Sequence, residues 1–201
     1  MPQYVVRQLK DPGSNGLQQA QSHYEALQQD IHEKGYVQFG FFVGLFGLAS
    51  NEFYLVTIGE DATDEIDQVL AGYGLDVKEH FLLAPTARPT VHEPLSKPGI
   101  CVFRWFDVEN KNVAQMADLS RQAWVTFESE FDCEPIALFA ESDRSSDRGK
   151  MLLITWYRDL SVWEASRNPP NEARENFAKR HTMTIEAKPI ATRLYLPGAA
   201  T

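Results

Sequence analysis

Cysteine is scarce. Cys101 and Cys133 are the only two in 201 residues, and no Cys-x-x-Cys spacing joins them to a metal or redox motif. A disulfide scaffold is thereby excluded as the source of stability, and the pair reads as two free thiols packed inside a protein of a reducing compartment, with a single disulfide between them as the alternative. Basic residues are few as well. Nineteen lysines and arginines face 28 aspartates and glutamates, a formal charge of −9, and no basic stripe relieves it. Nucleic acid and anionic membrane surfaces are therefore not expected as partners. The deficit is lopsided: residues 1–95 hold 5 basic and 13 acidic groups, residues 96–201 hold 14 and 15, so the two halves present different surfaces.

Long hydrophobic runs are missing too. The longest uncharged stretch, Gly35 to Asn51, is interrupted by Gly40, Gly44 and Gly47 and falls short of the ~20 apolar residues that span a bilayer; it reads as a buried hairpin. The amino-terminal Met1-Pro2-Gln3-Tyr4-Val5-Val6-Arg7 lacks a basic flank, a following apolar run and a small-residue cleavage site, so no signal peptide and a cytoplasmic location are expected. Signature motifs are absent in the same way. His23, His32, His80 and His92 form no His-x-His or His-x-x-x-His pair, no Gly-x-Gly-x-x-Gly or Walker-type loop occurs, and there is no Gly-x-Ser-x-Gly elbow. Neither a metal nor a resident cofactor is expected from local spacing.

What is present is a core-forming chain, 43% hydrophobic and 11% aromatic. The first element, Tyr4 to Leu9, is a strand that ends in the turn-rich Asp11-Pro12-Gly13-Ser14-Asn15-Gly16. Leu17, Ala20, Tyr24, Leu27 and Ile31 then fall on one stripe of a helix ending near Gly35. Strands Tyr36 to Phe46 and Phe53 to Ile58 follow, joined by a hairpin-length connection. Ile66, Val69, Leu70 and Tyr73 mark a short second helix, and His80 to Ala84 a fourth strand. The order is β-α-β-β-α-β. Residues 84–99 carry four prolines and no periodicity, which suits an extended linker. The order then recurs: strand Ile100 to Phe106, a helix from about Asn112 with Val113, Ala117, Trp124, Phe127 and Phe131 on its stripe, strands Pro135 to Ala140 and Met151 to Tyr157, a helix from about Leu160, and a last strand within Thr184 to Leu196. The expected organisation is one unit over 1–90, a proline-rich linker over 91–99 and a second unit over 100–201.

Matches between the halves run in the same direction: Val5-Val6-Arg7 against Val102-Phe103-Arg104, Tyr24, Leu27 and Ile31 against Trp124, Phe127 and Phe131, and Tyr54 to Ile58 against Leu152 to Trp156, at offsets of 97, 100 and 98 residues. Two tandem ferredoxin-like units are expected, each an antiparallel sheet with helices on one face. The strands are apolar on both sides, as in Phe39 to Val43 and Met151 to Ile154, so the other sheet face needs a cover as well. The second unit's sheet supplies one, in a barrel-like pair within one chain; a second copy of the chain, as a homodimer, is the other.

The stretch Leu152 to Arg167, Leu-Leu-Ile-Thr-Trp-Tyr-Arg-Asp-Leu-Ser-Val-Trp-Glu-Ala-Ser-Arg, followed by Phe177-Ala178-Lys179-Arg180-His181, resembles the strand, Tyr-Arg-Asp turn, second helix and helix-end histidine of the dimeric α+β barrel superfamily. That group includes antibiotic-biosynthesis-monooxygenase-like and NIPSNAP-like proteins. The resemblance implies an α+β fold with a small-molecule pocket between helices and sheet, used by some members for cofactor-free oxygenation and by others for haem breakdown. The first half departs from it: Ile58-Gly59-Glu60-Asp61 stands where the Tyr-Arg-Asp turn would be, and no histidine ends its second helix. Any site is expected in the second half.

All four tryptophans, Trp105, Trp124, Trp156 and Trp163, lie there, and they serve either as core or as walls of an aromatic pocket. His181, in helical register with Ala173 and Phe177, is either a base or hydrogen-bond donor beside a substrate, or a helix C-terminal cation favoured by the macrodipole. Arg104 interrupts an apolar strand, with Arg7 matching it in the first half; each reads as a buried ion pair or as an anchor for an anionic or carbonyl ligand. The leading expectation is a protein that binds a small apolar or aromatic molecule, with His181 as the catalytic candidate and Arg104, Trp124, Trp156, Tyr157 and Trp163 as ligand-binding residues. If it is an enzyme, cofactor-independent, monooxygenase-like oxidation is the expected chemistry. The alternatives are a non-catalytic scaffold whose aromatics are all core, which requires no cavity near His181, and a haem protein with His181 as the axial ligand.

Overall fold

The chain runs β-α-α-β-β-α-β and then β-α-β-β-α-α-β in a computed structural model that describes residues 2–13, 16–59 and 64–198. Ser14 and Asn15 of the expected turn, and Glu60 and Asp61 of the stretch compared with the Tyr-Arg-Asp turn, lie outside the described residues. The hydrogen-bonded strand order, β1-β3-β2-β8-β5-β7-β6-β4, returns to its start as a closed antiparallel barrel, the α+β barrel fold expected from the sequence. The chain divides into two units. One holds residues 1–84, 91–98 and 190–201, the other residues 85–90 and 99–189.

In the first unit β1 (Gln3–Lys10) pairs with β3 (Glu52–Gly59) and with β4 (Asp76–Arg88), while β2 (Val37–Phe46) pairs with β3 and with the end of β8 (Thr184–Leu194). The amphipathic stripe from Leu17 to Ile31 is buried as its spacing requires, but by two helices: α1 (Gln18–Ser22) and α2 (Tyr24–Glu33) break at His23. The stripe survives because the break costs one residue and Leu27 N–H still reaches the His23 carbonyl. Gly35 stops α2 at φ +81°, with Tyr36 N–H returning to the Ile31 carbonyl, a left-handed end that favours glycine. With α3 (Asp64–Gly72), these helices bury Leu27, Ile31, Ile66 and Leu70 against Phe41, Phe53 and Leu55, the two phenylalanines stacked at 4.3 Å. The fourth strand is longer than the apolar run His80 to Ala84; its start, Asp76 to Glu79, pairs with β1 but is charged and exposed apart from Val77, which leaves little hydropathy signal.

Asp11 ties this unit's turns together. Fully buried, its carboxylate accepts the N–H groups of Gly13 (3.2 Å) and Ala20 (3.1 Å), and its backbone carbonyl accepts from the Asn51 side chain (3.1 Å). Asp11→Ala strands the buried Ala20 amide and releases the exposed Gly13 amide, and is expected to cost roughly 1–2 kcal/mol. In a thermal melt that is a fall of about 2–8 °C; an unchanged midpoint would show that water satisfies both amides.

The second unit places β7 (Arg148–Tyr157) between β5 (Ile100–Glu109) and β6 (Cys133–Glu141) in unbroken register with β5. Over this sheet α4 (Val113–Glu130) packs Met116, Ala117 and Trp124 onto Phe106, Leu138 and Leu153, and α6 (Asn171–His181) packs beside α4. The single helix expected from Leu160 is again two: α5 (Leu160–Ala165) ends before Pro169 and Pro170, and α6 starts after them. Asp159 caps α5 by accepting Val162 N–H at 3.0 Å and the Ser161 hydroxyl at 2.5 Å, which holds its carboxyl well below the usual carboxylate range. Both cysteines are free and buried, and burial pushes the Cys101 thiol up to about 12, so it stays protonated. Among the described residues no helix is long and apolar enough to cross a membrane.

Candidate functional site

Strand alternation builds the floor of the site. On β5, Val102, Arg104 and Phe106 share a face; on β7, Leu153, Thr155 and Tyr157 do, and the register puts Val102 opposite Thr155 and Arg104 opposite Leu153. Trp124 and Phe127 of α4 and Phe177 and His181 of α6 stand over that face, and the space left is a cavity of about 610 Å³, within the range of small-molecule sites. Its remaining polar groups are Ser166, Arg167, Arg174, Arg180 and Thr184. No aspartate or glutamate is among the described lining residues.

Four of the six residues singled out from sequence line this cavity: Arg104, Trp124, Tyr157 and His181. Trp124 is 2% exposed and carries the Arg88 guanidinium over its ring at 4.9 Å, itself held by Glu128 at 2.5 and 3.0 Å. His181 is the exposed last residue of α6, at the rim. Trp156 and Trp163 are not among the lining residues. One residue before Tyr157 on a strand, Trp156 points to the opposite face, where its indole packs on Gly99. Trp163 sits half-buried on α5 with its Nε1 unpaired and the Arg167 guanidinium over its ring at 5.2 Å. Trp105, between Arg104 and Phe106, also faces away from the cavity.

Sequence reading passed over the most unusual group of the site. Arg180 is 6% exposed; its guanidinium lies 5.2 Å from the Phe106 ring centre and 5.0 Å from that of Phe177, and Nη1 donates to Ser120 Oγ at 3.0 Å. Burial, then the nearby Arg104 charge, lowers its pKa to about 10, so it is still a cation at neutral pH. Arg104 is likewise pulled down by burial and by the Arg167 charge, and burial raises Tyr157 despite the two neighbouring arginines and the Ser166 hydroxyl. A signal for Arg180 did exist: no acid stands at i±3 or i±4, where Asn176, Phe177, Met183 and Thr184 are found.

The matching arginine of the first unit behaves differently. Arg7, 2% exposed on β1, donates from Nε to Asp67 of α3 at 2.6 Å and from Nη1 to Thr57 at 3.1 Å. After β3 the first unit supplies an aspartate to its strand arginine; after β7 the second supplies Arg167. Among the described residues, no group of three or more His, Cys, Asp or Glu side chains is arranged to hold a metal ion.

No protein-family model matches this chain, and no curated protein does. Solved structures match its fold over nearly the whole length. An anthrone oxidase-like protein aligns with a TM-score of 0.58 at 10% identity, over 96% of this chain and 92% of the other. A haem-binding protein from Thermus thermophilus aligns at 0.58 and 14%, over 97% and 90%. The R173A mutant of chlorite dismutase from Candidatus Nitrospira defluvii aligns at 0.60 and 9%, over 97% and 91%. At these identities the likeness is one of fold.

Proposed function

We propose that the second unit binds a small organic molecule with a flat, apolar body in the cavity floored by β5 and β7, and oxidises it as a cofactor-independent, monooxygenase-like enzyme. The observation that carries this reading is the lining: Phe106, Trp124, Phe127 and Phe177 enclose a space of about 610 Å³ whose polar groups are gathered beside them. In such a reaction an activated CH₂ of the substrate loses a proton to a base, and the resulting carbanion reduces dioxygen. One oxygen atom ends as a carbonyl, the other leaves as water, and all four electrons come from the substrate. His181 is the base assigned here. At the rim it can take a proton from inside and pass it to solvent. The structural match to an anthrone oxidase-like protein supports a flat aromatic substrate. The same cavity adjoins His181, which weighs against a purely structural scaffold.

A second reading is favoured by that histidine as well. His181 is the one imidazole among the described lining residues and arginines share that lining, so the donor set fits haem, which His181 would ligate and the arginines would hold by its propionates. Haem, when bound, supplies redox-active iron. One measurement separates the readings: native mass spectrometry of gently purified protein with its absorption spectrum. A co-purified organic mass without a Soret band, and loss of its turnover in His181→Ala, supports the oxygenase. A Soret band that titrates to one haem per chain and vanishes in His181→Ala replaces it by the haem reading, and a cavity that holds neither sinks both.

A further inference from the structure

Arginine offers five N–H donors. Arg180 uses one of them, on Ser120, and Arg104 uses none, for among the described residues neither has a carboxylate or further hydrogen-bond partner. Two buried or half-buried guanidinium groups line one cavity, Arg104 from its β5 floor and Arg180 from α6, with no acid in the lining to balance them. Arg180 is moreover held in place, by Ser120 at one end and between the Phe106 and Phe177 rings. Its free edge has little freedom left to lose on meeting a ligand. In the first unit the equivalent demand is met by Asp67.

We infer that the ligand of the second unit is an organic anion, and that Arg104 and Arg180 form a subsite for its carboxylate. This rests on the cavity being a small-molecule site and adds the class of molecule: an aromatic or polycyclic acid, its flat body against the aromatic lining, its carboxylate accepting N–H bonds from both guanidinium groups. Two charge-assisted donors, one of them held in place by Ser120, suit a planar carboxylate better than a hydroxyl or ketone. Tyr157, whose hydroxyl burial keeps protonated at neutral pH, is placed to donate to the same anion.

The test compares two probes of one shape, 9-anthracenecarboxylate and the neutral 9-anthracenemethanol, titrated into the full chain by calorimetry at about pH 7.5, where the acid is ionised. The carboxylate is expected to bind on the order of tenfold or more tightly than the alcohol. Arg104→Gln should bring that ratio to within about twofold while leaving the alcohol's Kd nearly unchanged. Arg180→Gln should do the same if it folds, and if it does not, Arg104→Gln decides alone. Equal binding of both probes to the unaltered protein, or a preference that survives Arg104→Gln, overturns the carboxylate subsite and leaves the cavity reading standing. Binding of neither probe overturns both.

Discussion

Gly99→Ala is expected to be among the most damaging single substitutions in this protein, costing roughly 2–4 kcal/mol. Gly99 leads into β5 at φ +155°, and a Cβ built there would lie 2.2 Å from Trp156 Nε1, 2.8 Å from Trp156 Cε2 and 2.6 Å from the Tyr157 carbonyl oxygen. The indole is 5% exposed and packed, and the oxygen is backbone of the neighbouring strand, so neither yields cheaply. The start of β5 must lift off β7, and it does so at the rung that carries Tyr157 into the cavity. For a chain of this size the cost corresponds to a fall in Tm of about 5–15 °C. Gly72→Ala is the control: nothing lies within 4 Å of its added Cβ and it sits in α3, where alanine is favoured. Its Tm should hold or rise by a few degrees, by about 0.5–1 kcal/mol of helix propensity. Equal melting points for the two variants would show that the chain before β5 adapts freely.

How much of this was readable beforehand depends on whether a feature leaves a trace in residue order. Helix stripes do, because burial on one face imposes a 3.6-residue period; Leu17 through Ile31 predicted their burial correctly even though α1 and α2 break at His23, since the break keeps phase. The length of β4 does not. Its first residues are charged and exposed apart from Val77, and backbone pairing carries no side-chain signal. Alternation on β7 could have separated Trp156 from Tyr157, for neighbours on a strand cannot share a face, and the same rule groups Val102, Arg104 and Phe106. Between the halves the limit is different in kind. Arg7 and Arg104 match by position, yet one is neutralised by Asp67 and the other is not, and that difference lies in which side chain a later helix turns toward the sheet. Pairwise proximity across 60 residues of chain is a property of the fold, invisible to local pattern.

That contrast carries a prediction of opposite sign in the two units. Asp67→Asn removes the carboxylate that Arg7, a guanidinium 2% exposed, meets at 2.6 Å and puts a weaker amide acceptor in its place. Breaking a buried pair from one side is costly, and a loss of roughly 2–4 kcal/mol is expected in chemical denaturation. Arg104→Met, in the other unit, keeps the aliphatic bulk and takes away a cation that has no acid beside it and lies in the field of Arg167 and Arg180. The ligand-free protein should therefore lose little stability or gain some, about 0–1 kcal/mol. A loss as large as that of Asp67→Asn would mean that Arg104 is as well balanced as Arg7 and that its place in the cavity wall is structural. If the signs differ as expected, the second unit holds an electrostatic cost that a bound anion would relieve. Excess 9-anthracenecarboxylate should then raise the Tm of the unaltered chain by linkage, and should fail to do so in Arg104→Met although that variant folds as well or better.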